Sequence, residues 1–186
     1  PNPSKWLLWD DMLIGLCEPL QEGRSFKKHY ARLAADLKKK IGADPASMRL
    51  EFPMQLAKVI SMKCDLRKEL VAAYRKKDRI KLSQLLKTEL KPLHAEMKKL
   101  WLVHRRLWLS TYKPFGLEYI EVRYGTLLTR TQTLIDRLEQ YLKGEVADIP
   151  EFDSELLNFM GDSKGYIHGI WDWRRIATPS SILVTG

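Results

Sequence analysis

The stretch RIKLSQLLKTELKPLHAEMKKLWLVHRRLWLSTY, residues 79–112, decides the fold. Within it Leu86, Leu90, Leu93, Met97, Leu100, His104 and Leu107 follow one another in alternating steps of four and three. Such a seam, with a repeat of about 3.5 residues, is the mark of helices packed side by side. A half-buried strand would alternate with period two, and no such run stands out between residues 23 and 148. Pro92 falls inside the pattern. It has no N–H to donate and its ring crowds the preceding turn, so a kink is expected there.

The same reading extends in both directions. Downstream, Leu117, Ile120, Tyr124, Leu127, Thr131, Leu134, Leu138 and Tyr141 again alternate threes and fours, with Leu128, Ile135 and Leu142 widening the stripe and Gly144 as the stop. Upstream, residues 52–77 place Leu56, Val59, Leu66, Leu70 and Tyr74 on one face, a row that Lys63 interrupts. Pro53 is tolerated in the first turn of that helix, and Asp78 is placed to cap the next one. Before it, residues 25–41 start at Ser25 as N-cap and carry Phe26, Tyr30, Leu33 and Leu37 on a single stripe, ended by Gly42. Short connections between long helices favour antiparallel neighbours. The expected fold is all-α, an antiparallel bundle of about four long helices over residues 23–148.

Two flanks depart from this regularity. Residues 1–22 hold Trp6, Leu7, Leu8, Trp9, Met12, Leu13, Ile14 and Leu16, too apolar for a free terminus. Residues 149–186 form an irregular tail with Tyr166, Ile167, Ile170, Trp171 and Trp173 set among glycines and charges. Apolar surface of that size needs a cover, either the bundle itself or a body outside this chain.

Composition and charge narrow the function classes. At 186 residues with 45% hydrophobic content, a single domain can bury a substantial core. The longest apolar stretch, residues 12–17, is far short of the roughly eighteen residues a membrane span requires. The two cysteines, Cys17 and Cys64, are too few for a disulfide framework and read as buried free thiols. The net charge of +9 is uneven. Residues 1–44 carry 8 basic and 6 acidic side chains, residues 45–114 carry 17 and 6, and residues 115–186 carry 7 and 11. A basic middle third of this kind suits phosphates, an acidic partner, or a solvated face neighbouring the acidic last third. Aromatic residues are not interleaved with the basic runs as stacking platforms would be, which argues against nucleic acid. The chain opens at Pro1 with no basic-then-apolar leader, so either a start methionine was removed or this is a segment of something longer; a cytoplasmic location is favoured.

No motif for a self-contained chemistry is present. There is no glycine-rich phosphate loop, no nucleophile elbow and no HExxH or CxxC spacing, and no cofactor or metal is expected. His29, His94, His104 and His168 are scattered, and His104 on the seam reads as a core histidine, with Thr131 as its nearest polar counterpart across the bundle. Adjacent Asp10 and Asp11 read as a cap. The least ordinary stretch is residues 107–118 followed by Arg123-Tyr124-Gly125, because its turn is built from Trp108, Tyr112, Lys113, Phe115 and Glu118. Aromatic rings beside charged groups equip an edge for sugar stacking or for anchoring a partner; the plainer alternative is a hydrophobic staple closing the bundle end.

These residues carry a resemblance. The opening Asn2-Pro3-Ser4-Lys5-Trp6-Leu7-Leu8-Trp9-Asp10-Asp11, the helix with Arg106-Leu107-Trp108, and Lys113-Pro114-Phe115-Gly116 with Arg123-Tyr124-Gly125 resemble the C-terminal helical region of bacterial β-N-acetylhexosaminidases of glycoside hydrolase family 20. The likeness runs from about residue 2 to residue 153 and departs at Leu117, where a larger aromatic is expected. It implies an accessory domain. Family members cleave terminal N-acetylhexosamine on a (β/α)8 barrel, where an Asp orients the substrate's acetamido group and a neighbouring Glu is the general acid. Those two carboxylates belong to the barrel, so no catalytic residue is carried over to this chain. The resemblance implies the barrel of the same parent protein as partner, carbohydrate at the rim of its site, and a possible homodimer, with no membrane partner. Residues 1–22 are then expected to pack on that barrel, and Trp108, Tyr112, Lys113, Phe115, Glu118 and Arg123 are the candidates for the rim or an interface. A stand-alone basic module that binds nucleic acid or an acidic protein is the alternative, and a small enzyme with its site around His104 and Arg123 is a third reading.

Overall fold

The computed structural model of the chain describes residues 3–21, 23–42, 44 and 47–154. Eight α-helices follow in order among these residues: α1 (Pro3–Trp9), α2 (Lys27–Lys40), α3 (Glu51–Lys63), α4 (Leu66–Arg75), α5 (Arg79–Leu85), α6 (Lys91–Thr111), α7 (Leu117–Lys143) and α8 (Pro150–Asp153). Short 3-10 turns at Glu18–Gln21 and Ser47–Leu50 lead into α2 and α3. No β-strand is present among the described residues, and no described helix is long and apolar enough to cross a membrane. The all-α bundle expected from the seams is what forms.

Its spine is the antiparallel pair α6–α7. The seam residues Leu93, Met97 and Leu100 are fully buried, and so are Leu127, Leu134 and Leu138 from the facing helix. Thr131 on α7 lies against Met97 on α6, its hydroxyl bonded to the Leu127 carbonyl at 2.8 Å and 3.6 Å from the Met97 sulfur. Its expected pairing with His104 does not occur; the histidine bonds to the Tyr124 hydroxyl instead, at 3.1 Å. Helix α3 packs antiparallel to α6, with Phe52 stacked on His104 at 4.2 Å and Gln55 donating to both the backbone and the carboxylate of Glu96. Arg79 closes the far end of α7, donating to the carbonyls of Tyr141 and Leu142, a cation placed where the helix dipole is negative. Gly144 follows in the left-handed conformation, with φ at 79°, and lets the last carbonyls be capped.

Pro92 does not break the long helix. Residues 79–111 remain helical throughout, and the disturbance takes the form of one π-turn, Leu86–Leu90, just ahead of the proline. There the Lys91 N–H reaches the Leu86 carbonyl, five residues back. The wider turn makes room for a ring that an α-turn would force against a carbonyl.

The helix expected over residues 52–77 is two helices. It breaks at Cys64-Asp65, where the Gln21 side chain takes the Cys64 carbonyl at 3.1 Å. Ser25 likewise does not serve as N-cap of α2, since its hydroxyl bonds to Asp65 at 2.5 Å and the helix begins two residues later. Both departures have one cause: the connection from residue 18 to 25 is tied to the α3–α4 corner by side chains far off in sequence.

The flanks are where tertiary structure adds most. Trp6, Leu7, Leu8, Trp9, Met12, Leu13, Leu16 and Cys17 are each at most 8% exposed. They lie in two core clusters with Val59, Leu70 and Tyr124 on one side and Tyr30, Ala57 and Ile60 on the other. The cover that the sequence left open for the entry segment is therefore supplied by this chain's own helices, and residues 6–17 are part of the bundle rather than a bare face. At the other flank Ile149 and Phe152 are fully buried, so the body of the domain continues past residue 148. The Tyr74 hydroxyl accepts from the Ile149 N–H at 3.0 Å and bonds to Asp153 at 2.8 Å. Tyr166, Ile167, Ile170, Trp171 and Trp173 lie outside the described residues. Both cysteines are buried and free.

Part of the basic surplus is neutralised inside the chain. Lys27 pairs with Glu69 and Glu89, Lys58 and Lys99 with Glu96, and Lys91 with Glu139 across α6 and α7. Burial works against the charge on Glu96, but the bonds from Lys99, Gln55 and Lys58 outweigh it and hold its carboxyl down at about 2.

Candidate functional site

The aromatic turn between α6 and α7 is held from inside. Helix α6 ends as Tyr112 turns extended, its N–H still bonded to the Trp108 carbonyl at 2.8 Å. The Trp108 indole donates to the Lys113 carbonyl at 3.0 Å. Gly116 adopts φ of 95°, and a Cβ there would sit 3.3 Å from the Trp108 ring, so backbone and ring approach closely only because the residue is glycine. Glu118 reaches back to accept from the Gly116 N–H at 2.7 Å, which stabilises the start of α7.

A column of rings leads inward from this turn. Tyr112 lies 5.1 Å from Trp108, which meets His104 edge-on at 6.5 Å; His104 contacts Phe52 and Tyr124, and Tyr124 meets Trp9 at 5.0 Å. Trp108 is thus a half-buried staple, as the plainer reading of the turn allows. Tyr112 and Phe115 remain 62% and 83% exposed, and Lys113 and Glu118 are exposed beside them. Arg123 does not join this edge. It is 4% exposed, with its guanidinium 4.5 Å from the centre of the Trp9 ring. The pattern Lys-Pro-Phe-Gly…Arg-Tyr-Gly therefore divides in space: its first half builds the turn, and Arg123 and Tyr124 receive the entry segment. His104 is packed among rings and its imidazole is pushed toward the neutral form by burial, as expected of a core histidine.

The strongest polar constellation lies around the entry segment, and the sequence marked it only as an irregularity. Lys63, which interrupts the apolar row of α3, is buried and directs its ammonium at the carbonyls of Leu7 (3.0 Å), Leu8 (2.6 Å) and Asp10 (2.5 Å). These are the carbonyls left without partners where α1 stops. Asp10 accepts from the Cys17 N–H at 3.2 Å and Asp11 from the Leu13 N–H at 2.9 Å, which bears out their reading as caps. Arg130 of α7 holds the buried Asp11 carboxylate through two bonds, and Arg67 of α4 bridges Glu18 and the Leu13 carbonyl. Burial pushes Asp10 up to about 7 against the opposing pull of Lys63, and pushes Lys63 down to about 8 against that of Asp10. Burial likewise raises the Cys17 thiol and takes the Cys64 thiol to about 11, so neither is a ready nucleophile.

Gly15 makes this arrangement possible. Its φ is 71°, and a Cβ would fall 2.3–2.5 Å from the guanidinium of Arg67. Gly15→Ala is expected to cost about 1 kcal/mol in backbone strain and at least as much again from displacing a buried ion pair. A chemical denaturation midpoint reads this directly, and a change within about 0.5 kcal/mol contradicts the tight fit.

What this arrangement offers is support and contact rather than chemistry. Among the described residues no three acidic, histidine or cysteine side chains gather as metal ligands. The exposed turn presents rings and charges without a cleft beneath them, whereas the buried charges are each engaged with backbone or with one another. A family model described as the Glycoside Hydrolase 20C C-terminal domain matches residues 1–171, beyond the point at residue 153 where the resemblance in the sequence fades. No curated protein matches the chain. With nearly its whole length covered by that match and an all-helical bundle in place of a barrel, the chain belongs to the C-terminal domain family of the family 20 glycoside hydrolases.

Proposed function

We propose that this chain is the accessory helical domain of a β-N-acetylhexosaminidase, supporting the removal of terminal N-acetylhexosamine from glycoconjugates without performing it. The observation that carries the reading is the family match over residues 1–171 in a chain that has no acid–nucleophile machinery of its own. In this reading the domain braces the catalytic barrel of the same protein, and the exposed Tyr112, Lys113, Phe115 and Glu118 meet the rim of its sugar site or an interface between subunits. Aromatic rings are suited to either task, since they cover apolar sugar faces and anchor protein contacts alike.

The test compares two proteins on a chromogenic N-acetylglucosaminide. The full-length parent is expected to hydrolyse it, and the 186 residues alone are expected to show no turnover above the uncatalysed rate. Hydrolysis by the isolated chain at a rate comparable to an intact glycosidase contradicts the accessory role, and so does a parent without hexosaminidase activity.

A further inference from the structure

The outer side of the α6–α7 hairpin is apolar out of proportion to the rest of the surface. Among the described residues the large exposed apolar side chains are Leu33, Ile80, Leu102, Leu109, Tyr112, Phe115, Tyr119 and Val122, and all but the first two fall within one hairpin. Leu102, Arg105 and Leu109 share a stripe of α6, as Val122, Gly125 and Thr129 share one of α7. The ion pair of Arg105 with Glu121, at 3.8 Å, shows that the two stripes adjoin.

The α7 stripe is smooth as well as uncharged. The hydroxyls of Thr126, Thr129 and Thr133 bond to the carbonyls of Val122, Gly125 and Thr129, which turns their methyl groups outward. At the centre stands Gly125, in the middle of a helix of 27 residues. Glycine there is about 1 kcal/mol worse than alanine. Nothing inside the chain calls for it, since an added Cβ would meet no atom within 4 Å. A missing side chain on an exposed helix face makes room for a backbone that comes from outside.

We propose that this face, centred on Gly125 and Val122, is where the catalytic body of the same polypeptide docks; the inference rests on the accessory-domain reading above and gives it a surface. Two observations select that occupant. The entry segment runs beside the same helix, with Trp9 against Tyr124 at 5.0 Å, and the seven residues of α1 place its start about 10 Å from that contact. A domain that precedes α1 is thus delivered next to α7 and held there by the chain at an effective concentration in the millimolar range. A second copy has no such tether, and a net charge of +9 on each chain opposes its approach.

The experiment uses the full-length enzyme carrying Val122→Cys or, as the reference, Ala72→Cys on the exposed side of α4, with Cys17 and Cys64 buried and silent. Maleimide labelling is followed at several enzyme concentrations, and hydrolysis of the chromogenic substrate is measured on the same samples. The face is covered if the cysteine at 122 reacts at least tenfold more slowly than that at 72, at every concentration, and equally fast once urea has unfolded both proteins. Equal rates in an active enzyme overturn the docking face while leaving the accessory role intact. Slowing that grows with enzyme concentration assigns the face to a second copy and also overturns the proposal. An unmodified parent that does not hydrolyse the substrate removes the accessory-domain reading and this inference with it.

Discussion

Replacing Lys63 with methionine is expected to be the most damaging single substitution in the domain. Methionine matches the aliphatic stem but leaves the carbonyls of Leu7, Leu8 and Asp10 buried without a donor, and leaves the Asp10 carboxyl without its neighbouring cation. Each unsatisfied buried acceptor costs about 1–3 kcal/mol, and breaking a buried charge arrangement from one side costs about 3–5 kcal/mol. Against a total stability on the order of 5–15 kcal/mol, such a loss detaches the entry segment or unfolds the bundle. Urea denaturation followed by far-UV circular dichroism measures it, and a midpoint within experimental error of the parent chain contradicts the role assigned to this ammonium.

The same site predicts how stability depends on pH. Asp10 has a folded value of about 7, above the ordinary carboxylate value of about 4, so the folded state holds its proton more tightly than the unfolded chain. Its contribution is fully present below about pH 4 and is lost as pH rises to about 7. Lys63 has a folded value of about 8, below the ordinary value of about 10.4, so its contribution is present above that ordinary value and lost as pH falls to about 8. Lys63→Met is therefore expected to abolish the alkaline limb between about pH 8 and pH 10 as well as lowering the whole curve.

Phe152→Ala is expected to be nearly as severe, at about 3–5 kcal/mol. Its ring is fully buried, meets Tyr74 edge-on at 5.6 Å and lies 5.8 Å from the Arg67 guanidinium, so its loss opens a cavity beside a charged group. Phe152→Leu refills much of the space and should recover more than half of the loss. Thermal denaturation distinguishes the two, with Phe152→Ala lower by on the order of 10 °C. If both variants match the parent chain, the core ends before α8.

Lys63 and Phe152 also show what a sequence conceals. Lys63 announced itself as a charge interrupting an apolar row, which a solvated side chain would do equally well; only the arrival of α1 from some 55 residues away turns it into a cap. Phe152 stands in a stretch too short for periodicity, and its burial depends on the corner between α4 and α5 and on the Tyr74 hydroxyl. Arg123 was legible as unusual but not as internal, because a residue next to the seam faces either solvent or a neighbour according to what packs there. By contrast Leu117–Lys143 matches its expected helix from end to end, since a glycine precedes it, another stops it and the seam between them is unbroken.

Helix content, the α6–α7 seam, the core histidine and the two free thiols were determined by the sequence alone, because they follow from spacings of three and four residues that any local turn must obey. The tertiary structure alone decided where the chain breaks at Cys64, how Pro92 is absorbed, and that the entry segment is enclosed by its own bundle. Those outcomes depend on buried polar groups finding partners 40 to 120 residues away, as Gln21 finds Cys64 and Arg130 finds Asp11. No local pattern records such a partner, for the free energy of satisfying a buried charge exists only once the segments have met.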